Sequence, residues 1–217
     1  MNKINIAIDG PSGVGKSTIA DLLADQLEMT HLDTGAMYRC VAYYILQNKV
    51  DFNNEDELVQ ALENIHITFK NDFVYLNQID VTQEIRTNDI SMATSKVAAL
   101  PAVRKKMVSL QQEIAKNKGY ILDGRDICSV VLPDAEVKIF MDASSKARAD
   151  RRYNEYIQKG IEADYETIYQ DIVARDYQDS HREISPLKQA KDAIRIDTSN
   201  SSIEEVVEQI LNLINHS

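Results

Sequence analysis

The stretch Gly10-Pro11-Ser12-Gly13-Val14-Gly15-Lys16-Ser17 constrains this chain more than any other. It fits GxxxxGK[ST], and its context is right for a phosphate loop. A short Ile-rich segment, residues 3–8, reads as a buried strand before it. Lys16–Leu27 follows with apolar residues at Ile19, Leu22, Leu23 and Leu27, which is helical spacing. The glycines let the backbone turn tightly enough for its N–H groups to converge on phosphate oxygens. The helix start adds its partial positive charge. The expected ATP-contacting residues are Gly10, Pro11, Ser12, Gly13, Val14, Gly15, Lys16, Ser17 and Thr18. Lys16 reaches the β- and γ-phosphates, and the Ser17 hydroxyl suits Mg2+.

The rest of the chain repeats the strand-then-helix rhythm, with one interruption. Residues 30–32 read as a second strand, and Asp33-Thr34 can cap a helix running to about Gln47. Between residues 53 and 90 the rhythm breaks. A helix over 55–62 leads to the strict alternation of 65–69, a turn at Asn71-Asp72, and a second short run at Phe73–Leu76. That pattern predicts a hairpin within a small inserted subdomain. Residues 90–118 are helical again, with Pro101 placed to start a new helix. Residues 120–123 and 136–142 are strands. Residues 145–159 and 164–177 are helices joined by a short polar loop, Ile194–Asp197 is a last strand, and 203–214 a last amphipathic helix. Strands alternating with helices imply an α/β fold with a parallel sheet covered on both faces.

Composition removes several classes. The net charge of −10 argues against long nucleic acid bound on a broad basic face. No apolar run approaches the roughly 20 residues that span a bilayer, and the N-terminus lacks the features of a signal peptide. Cys40 and Cys128 form no CxxC, and His31, His66, His181 and His216 are scattered, so no zinc site is expected. Two reduced thiols fit a cytoplasmic protein. No heptad or large apolar stripe calls for assembly, so a monomer is expected.

The motif gives nucleoside triphosphate binding but not the fate of the γ-phosphate. One class is a small-metabolite kinase; another is a GTPase-like switch. Asn48-Lys49-Val50-Asp51 matches the guanine-reading NKxD pattern, but it follows a helix soon after the phosphate loop and reads better as a helix end. The arginines favour a kinase. Arg39, Arg104, Arg125, Arg148, Arg151, Arg152, Arg175 and Arg182 all fall outside the predicted strands. Arg148, Arg151 and Arg152 share a helix face, which serves either as a solvated ion-pairing surface or as a set of phosphate-facing forks.

Taken in order, Asp33-Thr34-Gly35-Ala36-Met37-Tyr38-Arg39, Asp123-Gly124-Arg125-Asp126, Pro133-Asp134-Ala135 and the stretch from Arg175-Asp176 to Arg182 resemble the bacterial cytidylate kinase family almost end to end. The resemblance implies a P-loop nucleoside monophosphate kinase core with a five-stranded parallel sheet. The core would be 1–35, 91–150 and 165–217, with a monophosphate-binding insertion at about 36–90 and a lid at about 151–164. It implies transfer from ATP to CMP or dCMP in pyrimidine nucleotide metabolism, with Mg2+. Position by position, Arg39, Arg125 and Arg182 hold the substrate phosphate, Ser95, Arg104 and Asp126 read cytosine, and Arg175 and Asp179 address the sugar. Thr34 joins the CMP-binding set, Arg151 and Arg152 join the ATP-binding set, and Lys16, Arg125, Asp126 and Arg182 are the catalytic set. The family often has Gly-Thr where this chain has Cys128-Ser129. That departure predicts a thiol near the substrate, open to thiol reagents.

Overall fold

β1 (Ile6–Asp9) is fully buried along its whole length in the computed structural model, which describes residues 3–70 and 73–215. A strand covered on both faces needs an unbroken apolar run, and Ile6-Ala7-Ile8 supplies it. Burying Ile6 and Ile8 contributes about 1.5–3 kcal/mol each. Around β1 lie β2 (Thr30–Asp33), β6 (Tyr120–Gly124), β7 (Val137–Asp142) and β8 (Ile194–Asp197), in the five-stranded order β2-β6-β1-β7-β8. The pairings of β1 with β6, β1 with β7 and β7 with β8 are parallel, with Ile8 opposite both Asp123 and Ile139. β7 alternates, with Val137, Ile139 and Met141 buried.

The helices of this part are α1 (Lys16–Leu27), α6 (Ser145–Gln158), α7 (Tyr165–His181) and α8 (Ile203–Asn215). Ile19, Leu23, Val206 and Ile210 join the strand residues in one core. α6 and α7 share a second cluster of Ala149, Ile168 and Ile172 with four tyrosines around it, and Tyr153 meets Tyr165 edge to face at 5.8 Å. Ser144 and Asp164 cap these two helices, accepting from Ala147 N at 3.1 Å and Thr167 N at 2.8 Å. Among the described residues no helix is long and apolar enough to cross a membrane.

The chain divides into two compact units: residues 1–32 with 115–217, and residues 33–114. The second contains α2 (Thr34–Gln47), α3 (Glu55–Glu63), a three-stranded antiparallel sheet β3-β4-β5 (Ile67–Lys70, Phe73–Leu76, Ile79–Asp80), α4 (Asn88–Val97) and all but the last residue of α5 (Pro101–Ala115). The Asp33 carboxylate caps α2 by accepting from Ala36 N at 2.8 Å, as the sequence suggests. The expected hairpin forms, though its turn at Asn71-Asp72 lies outside the described residues. The two-residue β5 has no periodicity of its own and carries no sequence signal. The second unit extends past residue 90, where the sequence reading ends its insertion, because α4 packs against α2.

Candidate active site

Gly10 opens the phosphate loop at φ 153°, and a Cβ there would sit 2.2 Å from the backbone oxygen of Met141, so only glycine fits. Gly15, at φ 92°, turns the chain into α1. Gly13, Gly15, Ser17 and Thr18 lie exposed on the loop and first helical turn. Lys16 is 6 % exposed, and its Nζ donates to Gly10 O at 2.9 Å and Pro11 O at 2.8 Å. Burial, then the charge of Arg125, pushes its amine down to about 7, against the pull of Asp123 and Asp9.

Ser17 Oγ donates to Asp123 Oδ2 at 3.0 Å, from the start of α1 to the end of β6. Asp123 is buried, and its other oxygen lies 2.9 Å from His31 Nε2. Burial works to raise the Asp123 carboxyl, but His31, Lys16 and Ser17 hold it below its ordinary range. His31 Nδ1 lies 2.6 Å from Asp21 Oδ1. Burial opposes the charge on His31, yet its bonds to Asp123 and then Asp21 push it up to about 10. A hydroxyl and a carboxylate in hydrogen-bond contact form the small hard-oxygen set that Mg2+ accepts alongside phosphate and water. Among the described residues no group of three or more His, Cys, Asp or Glu could hold a metal ion alone.

Asp9, at the end of β1, accepts from Ile127 N at 2.7 Å and Cys128 N at 2.9 Å. Burial pushes this carboxyl up to about 6, while those two bonds hold it down. They anchor a π-turn, Ile127–Val131, in which Val131 N reaches back to Asp126 O. This turn is what stands where the sequence reading places an accessible thiol. Cys128 is 1 % exposed and points its S–H inward, toward Ala7 O at 3.5 Å and Ile139 O at 3.6 Å. Burial and Asp9 push the thiol up, so neither its position nor its surroundings favour the expected reactivity.

The first unit gathers Arg125, Asp126, Arg175, Asp179 and Arg182. Positions 175, 179 and 182 follow helical spacing, so α7 and the C-cap residue just after it present all three on one face. Arg125 Nε donates to Asp179 Oδ2 at 2.8 Å. Burial works to raise Asp179, but Arg125, ahead of Arg175 and Arg182, lowers it below the usual carboxylate range. Arg182 Nη2 stands 3.8 Å from Asp126 Oδ1, and its Nε donates to Ser185 O at 2.6 Å. In the second unit Arg39 Nη2 donates to Asp33 Oδ2 at 2.8 Å. Thr34 and Arg104 are buried there, with the Arg104 guanidinium 5.9 Å from the centre of the Tyr38 ring, and Ser95 is half-buried on α4.

The arginine triplet on α6 splits. Arg148 is 3 % exposed and spends its donors inside the protein: Nε on Ala143 O, Nη1 on Ser12 O and Asp176 Oδ1, Nη2 on Ser145 Oγ and Asp176 Oδ2. It is neither a solvated pair nor a phosphate-facing fork. Arg151 donates to Thr198 O, and Arg152 is half-buried. Asn48 Nδ2 closes the end of α2 on Tyr44 O at 2.9 Å, and Lys49 takes φ 53°, so the NKxD match is a helix terminus. Sequence reasoning missed Asp9, His31, Asp21 and Asp123 as parts of this network. The Asp123-Gly124-Arg125-Asp126 run was the available signal for Asp123, since an acidic residue ending a strand beside the phosphate loop faces the same helix start.

The sequence profile described as Cytidylate kinase matches residues 6–216. A cytidylate kinase of Streptococcus pneumoniae strain 70585 is 51 % identical over 215 residues, covering 97 % of this chain and 96 % of that protein. One from strain Hungary19A-6 is 50 % identical over the same span. Among solved structures, an uncharacterized protein from Eubacterium ventriosum ATCC 27560 shares the fold at TM-score 0.54 and 12 % identity, covering 99 % of both chains.

Proposed function

Because the chain belongs to the cytidylate kinase family, we propose that it transfers the γ-phosphoryl group of ATP to CMP and dCMP, giving ADP and CDP or dCDP. The observation that carries this reading is the gathering of Arg125, Asp126, Arg175, Asp179 and Arg182 in the same compact unit as the phosphate loop. A monophosphate acceptor needs that many forks and no general base, since its second pKa is about 6 and its oxygens are already largely ionised near neutrality.

Each residue then has a task. The loop from Gly10 to Thr18 cradles the triphosphate. Lys16 exchanges two backbone carbonyls for phosphate oxygens. Arg151 and Arg152 complete the ATP-binding set. Ser17 Oγ and Asp123 Oδ2 would hold Mg2+, which when bound neutralises charge on the β- and γ-phosphates. Arg39, Arg125 and Arg182 hold the acceptor phosphate in line and stabilise charge on the transferred group. Arg125 uses Nε on Asp179, a pairing that fixes the plane of its guanidinium. Thr34 and Ser95 line the CMP set, and Arg175 and Asp179 take the sugar.

Cytosine presents an N4 amine that the Asp126 carboxylate accepts, and N3 and O2 acceptors that Arg104 meets. Uracil reverses two of those groups, at about 1–3 kcal/mol per mispaired buried group. Residues 151–164, the end of α6 and the loop to α7, serve as a lid that excludes water from the transfer. The two buried thiols support a cytoplasmic location, and the chain is read as a monomer. The test is a panel of mononucleotides with MgATP, following ADP formation. CMP and dCMP should give fast ADP release. No ADP with any mononucleotide would overturn the assignment.

A further inference from the structure

Ser17, Asp123, His31 and Asp21 form a chain of contacts that α1 closes into a ring, all within the first unit. Ser17 and Asp21 stand one turn apart on α1, on the same face. Ser17 Oγ reaches Asp123 Oδ2 at 3.0 Å, Asp123 Oδ1 lies 2.9 Å from His31 Nε2, and His31 Nδ1 lies 2.6 Å from Asp21 Oδ1. The His31 side chain is 10 % exposed and that of Asp123 6 %, whereas Asp21 is open to solvent. The ring therefore ties three elements together through one imidazole: the helix that begins at the phosphate loop, β2, and the end of β6.

A carboxylate on its own turns freely about its last torsion, whose preference is broad. Asp123 is denied that freedom, because its two oxygens are divided between two partners. The bond to His31 on one oxygen keeps the other turned toward Ser17. Outer partners of this kind orient ligating groups, and losing one typically costs 10–100-fold in metal affinity. We infer that His31 is a positioning residue for the divalent cation: by fixing Asp123, it aims the Ser17 Oγ and Asp123 Oδ2 pair at the ion that accompanies the nucleotide. Asp21 acts one step further out, holding the imidazole ring in plane from solvent. This inference rests on the phosphotransfer reading only for the identity of the nucleotide.

The experiment titrates Mn2+ into the full-length protein saturated with ADP, reading bound metal by electron paramagnetic resonance. Wild type is compared with His31→Phe, His31→Gln and Asp21→Asn. ADP affinity without metal and a thermal melt are measured alongside. His31→Phe keeps the ring shape but offers Asp123 no donor, so its Mn2+ affinity should fall roughly 10–100-fold with metal-free ADP affinity unchanged. His31→Gln restores one donor and should lie between, and Asp21→Asn should change affinity by less than His31→Phe. Wild-type Mn2+ affinity in folded His31→Phe overturns the proposal, as does an equal loss of metal-free ADP binding. If His31→Phe does not fold, His31→Gln carries the test: a several-fold loss supports the role and wild-type affinity overturns it. The readout never involves CMP, so a wild-type enzyme that bound Mn2+ and ADP normally but ignored mononucleotides would sink the phosphotransfer reading alone.

Discussion

Replacing Arg148 by alanine removes a buried guanidinium whose partners all stay behind. Asp176 loses both hydrogen bonds of a forked pair, and the Ser12 and Ala143 carbonyls each lose a donor. Breaking a buried ion pair from one side costs about 3–5 kcal/mol. The Asp176 side chain is 26 % exposed, so water softens the loss, and the lower end, about 3 kcal/mol, is expected. At about 2–4 °C per kcal/mol for a chain of this size, the melting temperature should drop by roughly 6–12 °C. Removing Asp176 as well discharges the stranded carboxylate. The double variant should therefore be less destabilised than the two single losses summed, by about 0.5–3 kcal/mol. Differential scanning calorimetry on Arg148→Ala, Asp176→Ala and the double variant measures all three. A melt of Arg148→Ala within about 2 °C of wild type, or strict additivity, would refute the structural role. Unchanged stability with lost turnover would return Arg148 to the phosphate-facing group.

Other substitutions probe separate parts of the molecule. Gly10→Ala drives a Cβ to 2.2 Å from Met141 O, a backbone atom with little room to move; about 1–3 kcal/mol of destabilisation and a raised KM for ATP are expected, and a wild-type melt with wild-type KM would contradict it. Asp126→Asn places an amide where an acceptor-only carboxylate stood, so the ratio of kcat/KM for CMP over UMP should fall roughly 5- to 160-fold, and an unchanged ratio removes Asp126 from base recognition. Cys40 and Cys128 are both buried, so an aromatic disulfide reagent should leave native activity intact and titrate two thiols only after denaturation; rapid inactivation would show the burial to be wrong. Arg125 leads the groups that depress the Asp179 carboxyl, so its stabilisation is present above the ordinary carboxylate range and is lost as pH falls through the depressed value. Asp179→Asn should be less stable at pH 7 and fall less steeply below about pH 4 in urea titrations; parallel curves would refute the linkage.

The sequence displays whatever is local. The phosphate loop compresses its chemistry into consecutive residues, so Gly10 to Ser17 can be read in isolation. Asp33 and Pro101 mark helix starts by capping and by fixed φ, and α1 and β8 begin and end where periodicity predicts. Long-range pairings leave no such mark. Asp9 looks like the polar end of a strand until sheet order brings Ile127 and Cys128 to it. His31 looks like a surface residue until β2 is placed next to β6. Arg148 shares spacing with Arg151 and Arg152, and spacing cannot tell that one turns inward to Asp176. The extent of the second unit was hidden for the same reason, since α4 belongs with α2 only through packing.

The grip of Asp9 on two successive amides also limits which insertions and deletions the gene can tolerate. A single short carboxylate, one residue before the phosphate loop, spans to Ile127 and Cys128. Adding or removing one codon between Gly124 and Cys128 would slide a different pair of amides under that carboxylate and rotate Arg125 and Asp126 out of register. The same change beyond Leu132 would leave the anchored segment alone. Length variation in this connection is therefore expected only on the side facing β7.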